Sequence, residues 1–143
     1  MTKFSFEELT VYNKCRELVK EIYEIQRSFP KEEMFALGSQ IRRAAVSITA
    51  NIAEGSGRVS TREKLHFIVI AYSSMTEVFS ELLTAYDLGY ITEQSVEEIR
   101  PSFIEVAKML SGMRQSFQRK IEDGDSTDMS KISGVPTASA INL

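Results

Sequence analysis

Two stretches of this 143-residue chain hold residue types that could do chemistry. The first is Glu63-Lys64-Leu65-His66. A glutamate and a histidine three residues apart on a helix face the same way, and in carboxylate-bridged di-metal bundles such a pair holds one ion. That site needs a second such pair and two further glutamates, whereas His66 is the sole histidine here. Glu63 also has another use, because Ser60 and Glu63 have the spacing of an N-terminal capping box. A ribonuclease-type bundle signature would set its arginine further ahead of the histidine than Arg62 stands before His66. Nucleophilic triads fail because, beside the one histidine, no serine stands in a strand-turn-helix context to be activated, and the glycines of "EGSGR", residues 54 to 58, follow a helical pattern where a phosphate-cradling loop would follow a strand. Cys15, the single cysteine, excludes an intramolecular disulfide and offers no metal-ligand spacing. The expectation is a non-enzyme with no metal, no cofactor and no small-molecule substrate.

The second stretch is "SQIRRAAVSITANIAEG", residues 39 to 55, mostly small and apolar yet carrying Arg42, Arg43, Asn51 and Glu54. At about 100° per residue, Ile41, Ala44, Ala45, Ile48 and Ile52 fall on one face, a core stripe. Arg43, Ser47 and Glu54 lie roughly opposite, with Asn51 at the boundary. Arg42, Val46, Thr49 and Ala53 form a third flank, small and half apolar. Such a helix can be approached closely from two sides, one its own bundle and the other a partner subunit. The third flank is therefore the candidate oligomer interface. Arg43, Ser47, Asn51 and Glu54, with Ser74 and Glu77 as partners on the following helix, form a candidate structural polar network of partly buried groups. The set could equally do no more than fix helix register.

The elements that must position these residues are helical throughout. Val11, Cys15, Leu18, Ile22, Ile25 and Phe29 recur at helical spacing, opened by a Ser5/Glu8 capping box and stopped at Phe29-Pro30. Leu65, Ile68, Tyr72, Met75, Phe79, Leu82 and Tyr86 form one further apolar seam. Val96, Ile99, Phe103, Val106, Leu110, Met113 and Phe117 form another, with a kink expected at Pro101. Gly55 and Gly57 are expected to end the second helix, and Asp87-Leu88-Gly89 the third. Short links make neighbours antiparallel. The predicted fold is all-α, an up-down-up-down four-helix bundle with helices near residues 6 to 28, 39 to 54, 61 to 88 and 93 to 120.

Charge divides the chain. Residues 1 to 121 hold 16 basic and 16 acidic groups, and residues 122 to 143 supply the whole net charge of −3. The organisation expected is one bundle domain, 1 to 121, followed by an acidic, disordered tail, 122 to 143. Within the bundle, Arg42, Arg43, Arg58, Arg62 and Lys64 face only Glu54 and Glu63 over residues 42 to 64, a local basic patch. Arg58, Arg62 and Lys64, around the loop after the second helix, are the candidate nucleic-acid contacts, acting on phosphates. No apolar run approaches the roughly 18 residues that span a bilayer. The start, "MTKFSFEEL", has no signal-peptide pattern. The expected compartment is the cytoplasm, with no membrane partner.

"FPKEEMFALGSQIRRAAVSITANIAEGSGR", followed by "FIVIAYSSMTEVFSELLTAYDLGYI", resembles the small bacterial four-helix-bundle proteins encoded in intervening sequences of 23S rRNA genes. The motif Ser-x-Gln-Ile-Arg-Arg-Ala-x-x-Ser-Ile-x-x-Asn-Ile-Ala-Glu-Gly is met except that Ser39 directly precedes Gln40. Ser73-Ser74 stands where the family usually has Gly-Ser. The resemblance covers roughly residues 4 to 117 and implies the same bundle, assembled as a ring-forming homopentamer, with no catalytic residues to carry over. A related branch is the accessory variability determinant of diversity-generating retroelements, a basic nucleic-acid-binding pentamer whose strong positive charge this chain lacks. Two functions stand side by side: an oligomeric protein that binds RNA or a ribonucleoprotein weakly, and an interaction scaffold that touches no nucleic acid.

Overall fold

A computed structural model describes residues 1–130 of the chain, with side chains through residue 124. It is a four-helix bundle: α1 (Thr10–Gln26), α2 (Leu37–Ser56), α3 (Thr61–Asp87) and α4 (Glu93–Ser130). Each helix packs on the next, and α1 closes the ring of contacts against α4. The seams read from periodicity meet in one core. Leu18, Ile22, Ile41, Ile48, Ile52, Leu82, Ile99 and Leu110 are fully buried within it. Ile25, Tyr72 and Phe79 line its edge, whereas Tyr86, expected in the core, is 40% exposed at the end of α3. By length and composition α3 could cross a membrane. Its apolar side chains Leu65, Ile68, Met75, Val78 and Leu82 are instead spent in this core.

The ends of the helices show where local chemistry was read correctly and where it was not. The Ser5/Glu8 capping box does not form. Residues Ser5–Glu8 make a 3-10 turn, Leu9 is extended, and α1 starts only at Thr10. Glu7 takes the capping role, its Oε2 accepting the Phe4 N–H at 2.7 Å. The Asn13 amide then bridges the break by donating to the carbonyls of Glu7 and Leu9. At α3 the Ser60 hydroxyl accepts the Glu63 N–H at 3.1 Å, as the sequence predicts. The same helix ends on Gly89, whose φ of +79° suits a residue without a Cβ. There the N–H groups of Gly89 and Tyr90 reach back to the carbonyls of Tyr86 and Ala85, a Schellman motif.

Two boundaries move. Helix α4 runs unbroken through Pro101 and continues to Ser130. Residues 122 to 130, expected as the start of the tail, are thus helical; propagation adds a hydrogen bond per residue and needs no apolar period. The rest of the expected tail, 131 to 143, lies outside the described residues. Gly55 does not end α2 but sits inside it, buried. A Cβ built there would stand 2.8 Å from the Cβ of Phe67 on α3. The glycine is therefore a packing residue, which lets two backbones approach.

That contact reverses an ordinary rule. Gly→Ala within a helix normally stabilises by about 0.5–1 kcal/mol. At Gly112 of α4, where an added Cβ meets nothing within 4 Å, Gly112→Ala is expected to raise thermal stability by that amount. At Gly55 the same change must overpack against Phe67 and is expected to cost about 1–3 kcal/mol. Thermal denaturation of the two variants beside the parent checks the opposite signs.

Candidate functional site

The polar residues of α2 divide between three places. Ser47 faces α3, and its hydroxyl lies 2.8 Å from that of Ser74, which is 8% exposed. Asn51, one turn on, donates to the Ser47 carbonyl at 2.7 Å and to its hydroxyl at 2.9 Å. Of the six residues expected to form a polar network, these three are joined by hydrogen bonds between the second and third helices. Gln40, Arg43, Ala44, Ser47, Ser74 and Glu77 line an open groove of about 550 Å³ along the same seam. Arg43 is exposed there and makes no ion pair with Glu77, so the groove gathers them without joining them.

Glu54 does not belong to this network. It is a surface residue, paired with Arg58 at 2.8 Å across one helical turn, both side chains around half exposed. At the C-terminal end of α2 a charge facing solvent keeps its hydration, so nothing there demands a buried partner.

Below the groove the α3 face continues from Glu77 to Glu81. One oxygen of Glu81 is buried with no hydrogen-bond partner as a carboxylate. Burial first, then the hydrogen bond and charge of Glu77, push its carboxyl up to about 7. Two such groups can hydrogen-bond each other only when one retains a proton. The core thiol of Cys15 is pushed up as well, to about 12, by burial alone, which marks it as an unreactive core side chain.

The basic loop is less uniform than its composition implies. The Arg58 guanidinium is held by Glu54 and lies over the Phe67 ring at 4.9 Å. Arg62 is exposed at the start of α3. Lys64 is half-buried and forms part of the wall of an apolar cavity at this end of the bundle. His66 is exposed, its ring edge-on to Phe67. Among the described residues no three His, Cys, Asp or Glu side chains come close enough to share a metal ion.

The third flank of α2 turns out to be partly occupied by the chain itself. Arg42 donates to Gln26 of α1 at 3.0 Å and to the Met34 carbonyl at 2.7 Å. Thr49 and Ala53 are half-buried, leaving Val46, at 47% exposure, as the open apolar residue of the four. Sequence reasoning missed the cluster this belongs to. Glu33, in the link before α2, accepts the Leu37 N–H with one oxygen and the Tyr90 hydroxyl with the other. A Cβ on buried Gly38 would collide with Glu33, Arg42 and Gln26. The partners are up to 57 residues apart, so no spacing rule could reveal them.

A second surface escaped the sequence altogether. Met75, Phe79 and Leu83 of α3 face Phe103, Ile104 and Ala107 of α4 across an apolar groove of about 290 Å³. Leu83 and Ile104 stand 38% and 47% exposed along it. Both residues lie just off the seams and were invisible to a reading that sought only the core stripe.

Against known proteins, residues 7–112 match the family model described as 23S rRNA-intervening sequence protein. Among solved structures the chain is similar to a protein of unknown function from the S23 ribosomal protein family of Bacteroides thetaiotaomicron VPI-5482. That similarity has 25% identity and a TM-score of 0.68, covering 73% of this chain and 98% of that one. No curated protein matches the chain.

Placement of the polar residues inverts the ranking that composition implies. Ser47→Ala, which leaves the buried Ser74 hydroxyl without its partner, is expected to cost about 1–3 kcal/mol. Glu54→Ala removes an exposed pair and is expected to cost about 0.5 kcal/mol or less. Chemical denaturation of the two variants decides the order. For Glu81 the raised folded-state pKa means that the folded protein binds the proton more tightly than the unfolded chain. Its contribution to stability is complete below the unfolded value near 4.5 and is lost as pH rises through about 7. Glu81→Gln, which cannot ionise, is therefore expected to gain melting temperature relative to the parent at pH 8 and much less at pH 5. An equal difference at both values would refute this.

Proposed function

The chain belongs to the 23S rRNA-intervening sequence protein family, and we propose that it acts by association and not by catalysis, as a cytoplasmic homo-oligomer that contacts RNA weakly. The observation that carries this reading is the apolar groove between α3 and α4, whose rim residues Leu83 and Ile104 face solvent in the single chain. Val46 is exposed on a different helix. Two unlike apolar surfaces on one protomer allow a heterologous contact, the Val46 flank of one copy against the α3–α4 groove of the next. Repeated around an axis, such a contact closes a ring. The resemblance to the family favours five copies.

The RNA contact is assigned to Arg58 and Arg62, at the loop joining α2 to α3. Arg58 is half-neutralised by Glu54, so a single copy offers little charge. A ring presents the pair several times, and counterion release from several phosphates adds up. The name of the S23 ribosomal protein family, to which the structural neighbour belongs, is in keeping with a ribonucleoprotein setting. Without RNA binding the same surfaces describe an interaction scaffold.

Light scattering at micromolar concentration is expected to give a mass several times 16.2 kDa. Val46→Glu and Ile104→Glu are each expected to yield monomers of unchanged helicity. A monomeric parent overturns the assembly. In a filter-binding titration, affinity for RNA is expected to fall steeply with salt and to fall again in an Arg58→Ala, Arg62→Ala double variant. No binding at about 50 mM salt removes the RNA contact and leaves the scaffold.

A further inference from the structure

A cavity with Lys64 on its wall lies at one end of the bundle, between α2, α3, α4 and the turn before α1. Ile52 and Gly55 of α2, Ile68 of α3, and Met113 and Phe117 of α4 make its walls, and Leu9 and Ser5 come from the turn before α1. Its volume is about 220 Å³, room for roughly seven waters at about 30 Å³ each. Apart from Lys64 and the two serines the walls are apolar and give water no hydrogen bonds, so the body of this space favours a hydrocarbon occupant. Lys64 is half-buried at the same site, and its ammonium group has no ion pair or hydrogen bond among the described residues. Of the two hydroxyls on the lining, that of Ser56 is committed to the Ala53 carbonyl at 2.7 Å. The Ser5 hydroxyl, on the exposed turn, has no such bond.

A cation with no counter-ion among the described residues, beside a mainly apolar space, is a recognisable combination. Its complement has one anionic group and one short apolar tail. We propose that this cavity binds a short-chain monocarboxylate amphiphile, with the carboxylate on the Lys64 ammonium and the Ser5 hydroxyl and the tail among Ile52, Ile68, Met113 and Phe117. The head group regains in one charge-assisted hydrogen bond the partner that Lys64 lacks. The tail completes the end of the core beside the Gly55–Phe67 contact.

Isothermal titration of the full chain with sodium octanoate, sodium hexanoate and 1-octanol tests this. Octanoate is expected to bind saturably, one per chain. Affinity should rise about fourfold per methylene from hexanoate to octanoate, the burial of one CH₂ at a time. Octanol is expected to bind at least about tenfold more weakly than octanoate, since it brings the tail without the charge. Lys64→Met should bring octanoate down to the octanol level and leave octanol itself unchanged, while Lys64→Arg retains binding. Met113→Trp, which fills the cavity from the α4 side, should abolish both; circular dichroism checks that each variant is folded. Absence of saturable octanoate binding to the parent, or octanoate affinity unaltered in folded Lys64→Met or Met113→Trp, overturns the proposal.

Discussion

The close approach of α2 to α3 is the constraint on which the remaining structure rests. It is held at two levels, two helical turns apart: Ser47 against Ser74 by a hydroxyl contact of 2.8 Å, and Gly55 against Phe67 with no room for a Cβ. Large side chains at either level would hold the two backbones apart. This is why a stretch of the chain that looks made for burial carries serine and glycine at these two levels. Once α2 and α3 are fixed at this distance, α1 and α4 close over Ile41, Ile48, Ile52 and Leu82 and complete the core.

Polar groups are distributed by what their burial costs. Hydroxyls and one carboxamide, which can satisfy one another, occupy the α2–α3 seam. Formal charges in the same helix are turned outward, Glu54 onto Arg58 and Arg42 along the surface to Gln26 and Met34. Glu81 departs from this order. A carboxyl with one buried oxygen beside a second carboxyl cannot ionise cheaply, and it holds its proton to near neutrality. The Glu33 cluster at the N-terminal end of α2 does structural work of a different kind. One carboxylate caps α2 through the Leu37 N–H and ties in the loop after α3 through Tyr90, linking two connections that the helices alone would leave independent.

The bundle leaves two apolar surfaces incompletely covered, and they differ in form. The α3–α4 groove is wide and rimmed by exposed leucine and isoleucine, a shape that suits another helix. The cavity at the α2–α3 loop is smaller, walled by three helices and the turn before α1 and provided with one cation, a shape that suits a small molecule. The same physical term, apolar area exposed to water, thus calls for different partners according to the curvature and charge around it.

Much was legible in the sequence because it depends on residues close along the chain. Helical periodicity located four helices to within a few residues at most ends, since a stripe repeating every three or four positions has one folded solution. The Ser60 cap and the Gly89 stop follow from the same local logic. The motif around Ile41 to Glu54 placed the chain beside its family, and helical spacing put Ser47 on the polar face with Asn51 at its boundary. What the sequence alone could not decide was which neighbour each side chain meets. Gly55 reads as a helix terminator until Phe67 is set against it. Glu54 and Lys64 read as members of a network and of a basic patch, respectively, until one is found in solvent and the other beside a cavity. Only tertiary structure brings Glu33 to Tyr90 or Phe79 to Phe103, because burial and contact are properties of surfaces brought together by folding, and spacing along one helix carries no record of the helix opposite.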